Sequence, residues 1–173
     1  MKKLLLCTLI AGISIFTCSA QTATPKTKFS FGIEGGVPVG NSASLYNFGI
    51  GGSVKAEIHA GQDLYVTLSG GYTNFPIKDE VRAQLAPFGD LQKSAGFIPV
   101  KVGLKYYIEN GFFGEVQIGK TIATTDGAGS AFAYAPGFGY TFDSRYEIGL
   151  RYEGWRKDGS TFGQFGLRLA IRV

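Results

Sequence analysis

Eleven charged side chains recur in this 173-residue chain at even separations within short stretches: Glu34; Lys55 and Glu57; Lys101 and Lys105; Glu115; Glu147, Arg151 and Glu153; Arg168 and Arg172. Five are acids and six are bases. Brought together, such balanced groups would either neutralise one another as ion pairs or line a path that selects ions and small solutes. His59 is the only histidine. A zinc set or a Ser-His-acid arrangement would need more around it, and no second His and no Cys stands nearby to complete a zinc set. Gly49-Ile50-Gly51-Gly52 has the composition of a phosphate loop, but no helical pattern follows it, so its glycines serve close backbone packing. These residues point to ion pairing, with no catalytic residue, no cofactor and no metal.

The even spacing identifies the elements that must hold those charges. From Leu64 to Tyr72, every second residue is Leu64, Val66, Leu68, Gly70 and Tyr72, while Tyr65, Thr67, Ser69, Gly71 and Thr73 fill the alternate places. Side chains of a β-strand alternate between two faces, so one face is apolar and the other carries Gly, Ser, Thr and charge. The same rhythm predicts eight strands, near 29–37, 48–60, 64–75, 97–108, 112–123, 131–142, 146–153 and 164–173. All eleven charges fall on the polar face. Fourteen Phe, nine Tyr and 26 Gly beside one Met and one Trp suit a β-structure with an aromatic outside and a crowded inside.

Residues 1–20 read as a cleaved signal peptide. Lys2 and Lys3 are followed by the apolar stretch Leu4–Phe16 and the small-residue site Cys18-Ser19-Ala20. The rival is lipidation of Cys18, which the preceding Ile15-Phe16-Thr17 fits poorly. Both cysteines lie in this segment, so the mature chain carries no disulfide. Residues 21–27 form a short lead-in, and 28–173 a single domain. Without Lys2 and Lys3, the 17 basic residues against 13 acids fall to a net charge of about +2, spread along the chain, which argues against nucleic acid. No apolar run long enough for a helical span follows Ala20.

Turn lengths supply orientation. Connections after the second, fourth and sixth strands are short (Gly61-Gln62-Asp63, Asn110-Gly111 and Asp143-Ser144), and those after the first, third, fifth and seventh are longer. Alternation of this kind marks a membrane barrel with periplasmic turns and extracellular loops. Parity predicts three-residue loops, such as Asn110-Gly111-Phe112, at all three short turns, because a two-residue turn would pair Glu109 with Phe112 across a conflict of faces. Two residues strain the pattern: Pro136 demands a bulge or kink, and Lys120 falls on the apolar face, where it must snorkel near an interface. Alternation alone also fits a soluble lipocalin-like barrel. The bulky apolar face, the strand lengths, and Tyr72, Phe75, Tyr106, Phe142, Tyr146 and Tyr152 toward strand ends as interface girdles favour the membrane.

The signal segment, the eight-strand meander and the last strand resemble the small outer-membrane barrel families, the OmpA/OmpX-type and the Bacteroidota porin-like β-barrel domains. The resemblance covers about residues 25–173. Within Gln164-Phe165-Gly166-Leu167-Arg168-Leu169-Ala170-Ile171, the residues Gln164, Gly166, Leu169 and Ile171 match the terminal signal that such families offer to the barrel-assembly machinery. The chain ends in Arg172-Val173, where those families often end in Phe. The resemblance implies an all-β, eight-stranded antiparallel up-and-down transmembrane barrel in the outer membrane, with lipid and the assembly machinery as partners, and a monomer.

On this reading the charges face a lumen that eight strands leave nearly filled. Lys101 and Lys105 are expected beside Glu115, and Arg151 and Glu153 beside Arg168. The long connection Pro76–Gly96 holds Lys78, Asp79, Glu80, Arg82, Phe88 and Asp90, with one or two helical turns over Asp79–Leu85. It is either a lid over the mouth or the contact surface for an extracellular partner. Three functions follow: a non-enzymatic barrel acting through its loops, a narrow porin-like channel, and a barrel enzyme acting on lipid or peptide.

Overall fold

The computed structural model describes residues 27–85, 93–125 and 129–173. The signal-peptide reading, and Phe88 and Asp90 of the expected contact loop, lie outside the described residues. Among the described residues, β1 (Lys28–Val39), β2 (Gly49–His59), β3 (Leu64–Pro76), β4 (Ser94–Glu109), β5 (Phe112–Ala123), β6 (Ser130–Phe142), β7 (Tyr146–Lys157) and β8 (Ser160–Arg172) form a closed barrel in chain order. Every neighbouring pair is antiparallel, and β8 closes on β1 from Ser30 opposite Arg172 to Val39 opposite Gly163. Closure leaves no free edge.

Alternation sorts the faces as the sequence predicts. Ile33, Val54, Leu68, Val102, Ile118 and Leu169 point outward and are exposed, while the partner positions of their strands are buried and polar. A water-soluble protein does not expose a continuous apolar band of this kind, so the soluble alternative falls and the band is the lipid-facing surface. The described residues contain no helix long and apolar enough to cross a membrane.

The connections depart from expectation in three places. At β4–β5, Glu109 does pair with Phe112 across the two-residue turn Asn110-Gly111, and the conflict of faces is absorbed by a register shift at Ile108 within the strand. The turn is tight because Asn110 (φ 45°) and Gly111 (φ 91°) both take the left-handed conformation, and a Cβ on Gly111 would sit 2.5 Å from the Thr141 carbonyl. Three-residue loops do occur at Gly61–Asp63 and Asp143–Arg145. Second, β7 and β8 run past their expected ends, so their connection is the two-residue turn Asp158-Gly159 rather than a long loop. Third, Pro136 sits in unbroken register with Val116 of β5, and the β6–β7 ladder omits rungs between Tyr134 and Gly137 without a shift, so no bulge forms. Proline lacks the N–H that such a rung needs. Pro99 of β4 does the same, pairing with Thr121 of β5 where the β3–β4 ladder is interrupted.

At the loop end, a 3-10 helix (Gly40–Ser44) follows β1, and α1 (Asp79–Leu85) follows β3, where the sequence places its helical turns. Tyr46 bridges to Ile77, which ties the two loops together.

Candidate functional site

Strand parity turns all eleven predicted charges inward, but barrel curvature decides their partners. Lys105 of β4 reaches past β3 to Glu57 of β2 at 2.7 Å and across the lumen to Glu147 of β7. Lys55 donates to Glu115 at 3.0 Å and to Glu147 at 2.8 Å. Lys101 binds Glu153 at 2.8 Å. Arg151 spans Glu34 at 2.6 Å and Glu153 at 2.8 Å. Arg168 binds Glu147 at 3.0 Å and the Ser30 hydroxyl at 3.1 Å, and Arg172 binds Glu57 at 2.7 Å.

Two expected neighbours are therefore corrected. Glu115 stands opposite Lys105 in register, yet its cation is Lys55, because Lys105 extends over the Phe113 ring (3.7 Å to its centroid) toward Glu57 and Glu147 and Lys101 pairs with Glu153 instead. Arg168 pairs with Glu147 and approaches Glu34 at 3.6 Å, not Glu153. The physical reason is reach. In a barrel this narrow, the opposite wall lies within the length of a lysine side chain, so the strongest available pair is often transverse.

The network leaves little space. Two cavities between the ion pairs measure about 20 Å³ each, one bounded by Glu34, Lys101 and Arg168 and the other by Phe113, Glu115 and Arg151. Each has room for about one water molecule. Gln117 bridges from β5 to Thr67 and Ser69 of β3. Small residues make room for the large inward groups: a Cβ on Gly139 would lie 2.4 Å from the Phe113 ring, and one on Gly49 would lie 2.2 Å from Phe75.

A second layer closes the loop end. Phe75, Phe97, Trp155 and Phe162 pack inside the barrel, with Tyr46 folding in from the β1–β2 connection. Trp155 stacks on Phe162 with centroids 4.6 Å apart, and Phe75 meets Phe162 at 5.3 Å. The Trp155 indole donates to Glu153 at 2.8 Å, joining the aromatic plug to the charged layer. Burial pushes the Tyr46 phenol above its ordinary pKa. Phe75 is fully buried here, which corrects its expected place in the outer girdle. Its parity with Thr73 already put it on the inner face, and Phe97, Trp155 and Phe162 share parity with Lys101, Glu153 and Gln164. That shared parity is the signal that sequence reasoning passed over. Tyr72, Tyr106, Phe142 and Tyr146 do face outward.

The remaining candidates are separate. His59 lies at the turn end in edge contact with Tyr65, whose ring meets Tyr107. Among the described residues no three His, Cys, Asp or Glu side chains cluster as a metal set would. Gly49-Ile50-Gly51-Gly52 is part of β2. On α1, Arg82 pairs with Asp79 at 3.1 Å in the open; Glu80 is exposed beside it and Lys78 precedes the helix. In β8, Gln164 is buried and Gly166 lies inward against Arg151, while Leu169 and Ile171 face outward. Lys120 is exposed on the outer face near the loop end of β5.

No family model and no curated protein matches this chain. Solved structures do. Ail, the attachment invasion locus protein of Yersinia pestis, superposes with a TM-score of 0.56 at 16% identity, over 85% of this chain and 97% of Ail. The N-terminal β-barrel domain of Pseudomonas aeruginosa OprF gives 0.54 at 13%, over 86% and 100%. Neisserial surface protein A gives 0.55 at 11%, over 85% and 96%. The fold is that of the small outer-membrane barrels. Identities this low carry the architecture and leave the task of each barrel to its own residues.

Proposed function

We propose that this chain is a non-enzymatic protein of the outer membrane, whose closed barrel holds a loop-side contact surface at the cell exterior. The observation that carries the proposal is the filled interior. Cross-barrel ion pairs leave cavities of about 20 Å³, and the aromatic plug lies above them. A conducting pore needs a continuous column of water; paired charges at hydrogen-bond distance in a lumen this filled serve instead as rigid filler.

What such a barrel offers its surroundings is its surface at the loop end: the 3-10 helix, α1 with Lys78, Asp79, Glu80 and Arg82, and the projecting β7–β8 turn. A rigid scaffold with irregular segments at one end suits contact with an extracellular macromolecule. The β8 pattern, with Gln164 and Gly166 inward and Leu169 and Ile171 outward, supports recognition by the barrel-assembly machinery and a place beside the OmpA/OmpX-type or Bacteroidota porin-like barrels. Purified protein inserted in planar bilayers is expected to show no steady conductance. Reproducible open channels, with ion selectivity altered by Arg151→Gln or Arg168→Gln, would replace this reading with the narrow porin.

A further inference from the structure

Lys120 belongs to a row that register alone assembles. It stands opposite Phe132 of β6, and Phe132 stands opposite Arg156 of β7. All three lie on the outer face near the loop end, and Phe132 is 51% exposed. Adjacent strands are spaced at about 4.8 Å, so the two cations flank the phenyl ring with Cα atoms about 10 Å apart. Neither cation enters the ion pairs or hydrogen bonds found among the described residues, although Lys55, Lys101, Lys105, Arg151, Arg168 and Arg172 of the lumen each have a carboxylate partner.

The level of this row in the bilayer is set by its neighbours. One step toward the barrel middle, Tyr134 stands between Ile118 and Gly154. Its ring lies against Gly154, where a Cβ would come within 2.3 Å of it. Tyr134, Tyr152 and Phe165 then follow round the wall with centroids 6.1 and 5.5 Å apart. Outward aromatic rows of this kind sit at the boundary between hydrocarbon and headgroups. Lys120, Phe132 and Arg156 are therefore at headgroup height. Beside Lys120 opens a hollow of about 540 Å³ bordered by Thr124, Thr125 and Ser130.

We infer that Lys120 and Arg156 form a binding site for the phosphate of an anionic membrane lipid in the loop-side leaflet. Phe132 packs on the upper part of its acyl chain between the two cations. Two cations without an ion pair among the described residues, on either side of an aromatic ring at headgroup height, complement a negatively charged, acyl-linked group, and a free anion would use neither the ring nor the apolar wall beneath it. The inference rests on the membrane reading of the barrel.

The test reconstitutes the full-length protein in phosphatidylcholine bilayers holding a minor share of phosphatidylglycerol, and reads the lipids retained on extraction by native mass spectrometry. The wild-type barrel is expected to retain phosphatidylglycerol above its bulk share. Lys120→Gln and Arg156→Gln each lower that enrichment about fivefold, and together about 25-fold, from the attraction of one basic side chain to an anionic surface. The charge-conserving pair Lys120→Arg with Arg156→Lys keeps it, as does Lys93→Gln elsewhere at the loop end. A folded barrel, shown by its gel shift between unheated and boiled samples, that retains both lipids at their bulk ratio overturns the site. So does an enrichment that the double Gln variant leaves intact. A wild-type chain that never inserts or shifts overturns the membrane reading itself, and the site with it.

Discussion

Glu153 and Lys101 form one buried ion pair, yet the two ends of that pair are not equivalent. Lys101 has a single carboxylate partner, Glu153 at 2.8 Å, and is 3% exposed. Glu153 has three donors: Lys101, Arg151 at 2.8 Å and the Trp155 indole at 2.8 Å. Glu153→Gln leaves the buried Lys101 ammonium without its ion-pair partner, with Glu34 as the nearest remaining carboxylate on the same cavity. Removing one partner of a buried pair costs about 3–5 kcal/mol. Lys101→Met leaves Glu153 still held by Arg151 and Trp155, so its cost is the lesser one of a lost charged hydrogen bond, about 1.5–3 kcal/mol. The double variant removes the stranded charge and should be more stable than Glu153→Gln alone, which is a coupling that a double-mutant cycle measures. Trp155 is the sole tryptophan and sits within the plug, so its fluorescence reports guanidinium unfolding in detergent micelles or lipid vesicles, with the loss of heat-modifiable gel mobility as the second probe. Equal costs for the two single variants, or a Glu153→Gln barrel within about 0.5 kcal/mol of the wild type, would refute the reasoning, because the lumen would then be wet and its charges screened by water.

Two further perturbations probe the other layers. Val102→Arg places a cation on the lipid face midway along β4, between Leu68 and Ile118 of the neighbouring strands, and should cost about 2–4 kcal/mol in lipid vesicles; a soluble barrel with a wet exterior would tolerate the change without loss. Gly49→Ala puts a methyl 2.2 Å from Phe75 and should displace that ring, shifting Trp155 emission to longer wavelength and lowering the unfolding midpoint by an amount typical of overpacking, about 1–3 kcal/mol. An unchanged spectrum and midpoint would mean that the plug is loose.

Much of this architecture was legible in the chain because a strand alternates faces locally, residue by residue. Leu64–Tyr72 announces its lipid face without any knowledge of its neighbours, and the inward direction of all eleven charges follows from the same period of two. The short turns are marked by Asn, Gly and Asp, and at Asn110-Gly111 and Asp143-Ser144 the backbone is left-handed. The misassignments were of another kind. Phe75 was misplaced because an aromatic near a strand end satisfies either a girdle or a plug on type alone, and only its parity with Thr73 separates the two. The bulge at Ile108 escaped because parity restricts the sum of loop and strand irregularities and leaves their division open.

What the amino-acid order determined by itself was therefore face, strand number and the alternation that selects a membrane barrel, all of them consequences of local backbone geometry. What only the tertiary structure decided was distance across the lumen: that Lys105 leaves its register partner Glu115 for Glu57 and Glu147, that Phe75, Phe97, Trp155 and Phe162 meet in one plug, and that Lys120 and Arg156 flank one ring. Closure brings together residues far apart in sequence. The curvature that sets which walls lie within a side chain's reach belongs to the ring of eight strands and to no single one of them.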